Sequence, residues 1–366
     1  MKVPLPALVF GALLPALGLA PLGARSDTVP APATAPAENP ATSGSSIVVP
    51  VGVFTATYTD AVTGRQIDLT LWYPATGPGT PVTIGGNAVF EGTSGERGAP
   101  IPPGRHPLVV LSHGGLRSSS NNGAWLAKRL ARAGYVVVAE HGPMLGPKDA
   151  QLAIEEIANR ARDLSGALNA ILANPDWDKS IAENKIAAVG LFLGGTAALS
   201  VAGGRIDPAA FAQSCDKGGP GMDCPWLKAG GMDLHSADLT PLTKLRRDPR
   251  IGFAIAVAPE YAASFDADSL AKAPVPVAIV DLGKPGSNPK GMQGAALKGA
   301  GANVSYTDLP GVSRYDTFPQ CTPKGGAILK DSGSDAPICG DSGKARSAAH
   351  AALAQALVNL LEVQFH

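Results

Sequence analysis

Aromatic residues are scarce in this chain of 366, at 5%, and charged residues make up only 16%. Lys plus Arg equals Asp plus Glu at 30 each, and there is no sustained basic run. Electrostatic capture of nucleic acid is therefore not expected. Cysteine is limited to four positions, Cys215, Cys224, Cys321 and Cys339. Their spacings do not form the CxxC pairs of structural zinc, so no metal is expected, and no other cofactor. An even count in two local pairs points to two disulfides, with three connectivities open.

Hydrophobic residues, by contrast, reach 45%, and the length is enough for one large core. The first residues carry Lys2 and then an almost unbroken apolar run over residues 3–24, with small Ala24 before Arg25. That is the layout of a secretory signal cleaved near Ala24, implying a secreted or periplasmic protein. An uncleaved anchor is the alternative, but Pro4, Pro6, Pro15 and Pro21 oppose a stable spanning helix. No stable membrane span is expected after cleavage. Residues 25–46 are rich in Pro, Ala, Thr and Ser and read as a disordered spacer, leaving residues 47–366 for the folded domain.

Within that domain, residues 47–59 and 66–73 alternate around Val62-Thr63-Gly64 and predict an antiparallel hairpin. Residues 75–105 are rich in Gly and Pro and predict a long loop. Short apolar runs follow at 107–112, 136–139, 185–190, 250–259, 275–282 and 303–309, each expected as a strand. Helical periodicity covers residues 122–133, a long helix is expected over 149–174 with Asp149 as its N-cap, and an amphipathic helix over 345–362. Strands alternating with helices predict an α/β fold with a mostly parallel sheet and helices on both faces.

Chemistry is expected where strands end. Gly190-Leu191-Phe192-Leu193-Gly194 follows an apolar strand and opens a run of small residues. It has the glycine frame of a nucleophile elbow, G-x-S-x-G, with Phe192 in the place of the serine. Ser112, His113, Glu140, His141, Glu260, Tyr261 and Asp281 also stand at or just beyond strand ends, where α/β sheets bind ligands. Each also has an ordinary structural reading, and the grouping of His113, Glu140 and His141 has no spacing that requires a metal.

The stretches VGVFTATYTD…GRQIDLTLWYPA, PLVVLSHGG, WLAKRLARAGYVVVAEHGP, the elbow, DPRIGFAIAVAPEY and CTPKG…PICGDSGKARSAAHAAL occur in an order and spacing that carry a resemblance. Together they resemble the dienelactone-hydrolase-like branch of the α/β-hydrolase superfamily, related to platelet-activating-factor acetylhydrolases and cutinase-like polyester hydrolases. The resemblance covers roughly residues 47–366. It implies an α/β-hydrolase fold and hydrolysis of esters or lactones by a Ser-His-Asp triad with an oxyanion hole. The triad positions carried over are Phe192 for the nucleophile, Arg314 for the histidine and Pro285 for the acid, with Asp281 a substitute for the last. The donors carried over for the oxyanion hole are those of the loop His113-Gly114-Gly115 and the N–H of Leu193.

Phenylalanine offers no nucleophilic atom, and a guanidinium stays protonated. Losing triad members lowers turnover by about 10⁴–10⁶-fold in serine hydrolases. The expectation is a pseudoenzyme that binds a small anionic or ester-like ligand or a protein partner. The alternative is an ester or lactone hydrolase using other residues. Two arrangements of the crevice are open: an anion pocket lined by Arg314, or a plug made by Phe192 stacked on Arg314.

Overall fold

The computed structural model describes residues 49–365 apart from 246, 334, 341 and 342. The expected leader (1–24) and spacer (25–46) lie outside the described residues. Twelve strands are described: β1 (Val51–Thr59), β2 (Gln66–Pro74), β3 (Thr80–Ile84), β4 (Thr93–Arg97), β5 (His106–His113), β6 (Val136–His141), β7 (Ile181–Leu191), β8 (Arg205–Ile206), β9 (Phe253–Val257), β10 (Phe265–Asp266), β11 (Val277–Leu282) and β12 (Val304–Leu309). Ten of them build one sheet in the order β12-β11-β9-β7-β5-β6-β2-β1-β4-β3, and β8 and β10 form a separate ribbon.

From β12 to β6 every pairing is parallel, whereas β2 runs antiparallel to both β6 and β1. Leaving out the β3–β4 hairpin, the eight remaining strands, counted along the chain, stand in the order 1-2-4-3-5-6-7-8. With a sharp turn into a helix after the fifth, this is an α/β-hydrolase fold.

Strand periodicity places the two cores. In β7 and β9, Ala187, Val189, Phe253, Ile255 and Val257 face one side, where they pack with helices α1 (Ala124–Arg132) and the C-terminal helix (Gly343–Phe365). Ala188, Ala254 and Ala256 face the other side, beneath α2 (Ala153–Leu172) and the helix that follows the elbow (Leu193–Ala202). Two-sided burial explains why these strands read as continuous apolar runs.

Two expectations change in detail, and one short helix is added. Residues 75–105 are not one loop: β3 and β4 pair there, and β4 joins β1 in parallel. Their sequences, TPVTI and TSGER, are short, polar and largely exposed, so they carry little strand signal. The long helix begins at Ala153, after a 3-10 turn, and Asp149 instead accepts a hydrogen bond from Gly146 N–H at 2.7 Å. Beyond Pro175, a short helix α3 (Pro175–Asp178) is capped by Asn174, whose side chain accepts from Asp176 N–H.

In order after α3 come α4 (Leu193–Ala202), α5 (Pro208–Gln213), α6 (Cys224–Ala229), α7 (Thr240–Thr243), α8 (Ala267–Ala271), α9 (Gly325–Asp331) and α10 (Gly343–Phe365). Both disulfides form as local pairs, Cys215–Cys224 and Cys321–Cys339. Among the described residues no helix is long and apolar enough to cross a membrane.

Candidate functional site: a filled elbow

The end of β7 and the start of α4 form a true elbow. Phe192 joins them at φ 62°, ψ −122°, a backbone conformation that a residue with a side chain rarely adopts. Such a conformation costs about 1–3 kcal/mol and persists only where the surroundings over-determine it. Here Phe192 N–H donates to the Val257 carbonyl at 3.0 Å, and the Phe192 carbonyl accepts from Glu260 N–H at 3.1 Å and Gly195 N–H at 2.9 Å. The flanking glycines are sterically required. A Cβ on Gly190 would lie 1.8 Å from the Gly194 carbonyl oxygen, and one on Gly194 would lie 2.2 Å from the Ser112 carbonyl oxygen.

The elbow presents a ring. Phe192 is only 5% exposed; its centroid lies 5.8 Å from that of His113, edge-on, and 6.3 Å from that of Phe318. Phe318 in turn stacks on Phe90 at 5.9 Å. Aromatic packing of this kind adds about 0.5–1.5 kcal/mol per pair beyond area burial.

The loop that carries Phe318 is pinned by its carbonyls. The Thr317 carbonyl accepts from Trp125 Nε1 at 2.8 Å and lies 3.3 Å from His113 Nε2. The Phe318 carbonyl is 3.0 Å from His350 Nε2, and the Pro319 carbonyl accepts from Arg346 at 2.9 Å. The ring of His350 lies flat on Trp125, with centroids 3.7 Å apart. Burial lowers the pKa of both His113 and His350 to about 4, so both are neutral rings holding carbonyls.

The predicted triad positions meet different fates. Arg314 does not stack on Phe192: its guanidinium lies 4.3 Å from the centre of the Tyr315 ring, and its Nη2 donates to the Tyr315 hydroxyl at 2.5 Å. Pro285 is exposed in the turn after β11. Asp281, the substitute acid, is buried and accepts from Gly294 N–H at 2.8 Å, Ala295 N–H at 3.0 Å and the Tyr306 hydroxyl at 3.0 Å. It holds a 3-10 turn and has no histidine to orient.

Of the expected oxyanion-hole donors, Gly115 N–H is taken by the Ser118 hydroxyl at 2.8 Å, and Gly114 offers its carbonyl to Gly194 N–H at 3.3 Å. Leu193 and Gly114 are buried.

The other polar residues at strand ends are structural or nearly so. The Ser112 hydroxyl donates to Glu140, whose other oxygen accepts from Gly142 N–H at 2.7 Å. Arg160, fully buried, lies 3.5 Å from Glu140 and donates to the Pro143 carbonyl at 3.3 Å. The His141 ring sits between the hydroxyls of Thr70 at 2.8 Å and Ser120 at 3.1 Å, and burial lowers its pKa.

Glu260 is different. It follows β9 directly beside the elbow, among the described residues its Oε2 has no hydrogen-bond partner, and burial pushes its pKa to about 8, with Asp223 raising it further and Arg160 opposing. Its neighbour Tyr261, at φ 57°, has a buried hydroxyl with no hydrogen-bond partner among the described residues. Among the described residues no cluster of His, Cys, Asp and Glu has the makings of a metal site.

Sequence reasoning found the elbow frame but missed Phe318, Phe90 and the two rings that fasten the loop, Trp125 and His350. Their spacing in the chain, from residue 90 to 350, gives no local signal; in the structure a β-bridge between Phe90 and Cys321 and the Cys321–Cys339 disulfide hold the segment down.

No family model and no curated protein matches this chain. Solved structures do, among them a ferulic acid esterase from Streptomyces cinnamoneus at 17% identity, with 86% of this chain and 90% of that chain covered and a TM-score of 0.47. The fold assignment rests on the strand order and the elbow.

Proposed function

We propose that this protein is an exported, non-hydrolytic relative of the dienelactone-hydrolase-like enzymes that acts by binding. The observation that carries the reading is the buried Phe192 ring at the nucleophile's position, closed over by Phe318 and His113. A benzyl side chain cannot attack a carbonyl, and neither Arg314, stacked on Tyr315, nor the exposed Pro285 supplies a base or its orienting acid. Rings occupy the crevice beside the elbow, which favours a plug over an anion pocket there. The two disulfides support an oxidising compartment, in keeping with the apolar N-terminal run.

The test is turnover of p-nitrophenyl acetate and butyrate by the purified mature chain, with fluorophosphonate labelling in parallel. No saturable turnover and no labelled serine are expected. A second reading, an active ester hydrolase, is favoured by one contact, Ser120 Oγ 3.1 Å from His141 Nδ1. This pair faces Thr70 where a triad would place a carboxylate, and Ser120 is buried. Turnover that persists through purification and disappears in Ser120→Ala would overturn the non-hydrolytic reading.

A further inference from the structure

A cleft of about 870 Å³ opens between the turn joining β1 to β2, helix α2, and residues 244, 245 and 247–250. None of the elbow residues lines it. The volume falls in the range of small-molecule sites, about 300–1,000 Å³.

Three of its arginines are held by carboxylates. Arg65 reaches both Glu156 and Asp163 at 2.8 Å, Arg162 pairs with Glu155 at 2.6 Å, and Arg250 pairs with Asp248 at 2.6 Å. The remaining acid, Asp60, is turned into its own loop and accepts from Val62 N–H at 3.0 Å and Thr63 N–H at 2.7 Å. Lys244 and Arg247 also line the cleft, and among the described residues neither has an ion-pair partner. Arg247 is half-buried, and among the described residues its Nε has no hydrogen-bond partner.

A partly buried guanidinium without a counter-charge is unfavourable unless something else satisfies it. The walls are also held in place beforehand. Arg65 ties the hairpin turn to α2 by four hydrogen bonds, and Arg250 ties the opposite wall to α2 through Asn169 at 2.7 Å. A cleft fixed in advance loses little on binding.

We infer that this cleft binds a small organic anion, with its carboxylate or phosphate held between Lys244 and Arg247. The planar guanidinium fork suits either group, and the ammonium adds a point charge. Thr63, Ser165, Ile67 and Leu245 are among the residues that line the rest, a mixture of small polar and apolar groups. This inference does not depend on whether the elbow is inert.

The test is calorimetric titration of the mature chain at low ionic strength with inorganic phosphate, citrate, gluconate and glucose 6-phosphate. At least one is expected to bind. Arg247→Gln and Lys244→Gln should each weaken it about 10-fold, the scale of one charge-assisted hydrogen bond. Arg314→Gln, which removes the same charge beside the elbow loop, should leave it unchanged. Lys244 is exposed, so its substitution keeps the test valid even where Arg247→Gln does not fold. No heat with any of the four probes, or binding lost in Arg314→Gln but retained in Lys244→Gln and Arg247→Gln, overturns the inference.

Discussion

Glu260→Gln isolates the most exceptional buried acid near the elbow. The carboxyl is buried, with Gly115 so close that a Cβ there would lie 2.7 Å from Oε1. Burial holds its pKa near 8 in the folded chain, against 4.5 as its ordinary value, so the folded protein carries it neutral at pH 7. A raised folded pKa contributes stability that is complete below about pH 4.5 and is lost as pH rises through 8. Over the range between, the loss is about 1.4 kcal/mol per pH unit, or about 3 kcal/mol from pH 5 to pH 7. Glutamine keeps the shape and cannot ionise, so the variant lacks this slope.

His113 and His350 act in the opposite sense: their folded pKa values are lowered, so their contribution is present above about pH 6.5 and lost as pH falls through 4. Subtracting variant from wild type removes them. Urea unfolding of both proteins at pH 5, 6 and 7 should show the difference moving by about 3 kcal/mol in favour of the glutamine variant as pH rises. A difference that stays flat would refute the reasoning. A difference that moves the other way would mean that Glu260 is ionised and paired with Arg160.

Gly190→Ala should prevent the elbow from closing, because its Cβ would overlap the Gly194 carbonyl. We expect little soluble folded protein, or a melting temperature many degrees lower by circular dichroism. Replacing Cys321 and Cys339 together by Ala should cost about 3 kcal/mol, the loop entropy of an 18-residue separation, read from urea midpoints. The same pair should also increase binding of a hydrophobic dye, since the neighbouring loop carries Phe318. Phe192→Ala should cost about 3–5 kcal/mol by emptying a packed site, without producing esterase activity.

Much of the architecture was legible because the central strands are buried on both faces and read as unbroken apolar runs. Runs such as residues 136–139 leave no other place for themselves than the middle of a covered sheet. The elbow was legible for a different reason: its glycines meet backbone carbonyls, and no other residue fits. The β3–β4 hairpin was illegible because an exposed edge selects no apolar pattern, and α5–α8 are too short to show a period. At the site, the aromatic ring of Phe192 in the glycine frame could be read directly. What Arg314 touches could not. It lies on Tyr315, next door in sequence, in a turn over residues 313–317 where Asp316 accepts from Ser313 N–H at 2.8 Å.

A strained turn that presents a phenylalanine needs a physical cause, and the hydrogen bonds supply one. Phe192 N–H and C=O are both spent on β9 and the segment that follows it, through Val257 and Glu260, while Gly194 N–H reaches the loop after β5. The turn therefore joins three adjacent strands of the sheet at their carboxyl ends. Relaxing φ at residue 192 would break those bonds and uncover Leu193 and Phe192 together. Each buried backbone group left unpaired costs about 1–3 kcal/mol, so losing two or more outweighs the roughly 1–3 kcal/mol of strain. The elbow is thus retained by the fold itself, independently of chemistry. The ring at residue 192 also fills the apolar side of the crevice that Phe318 and His113 close.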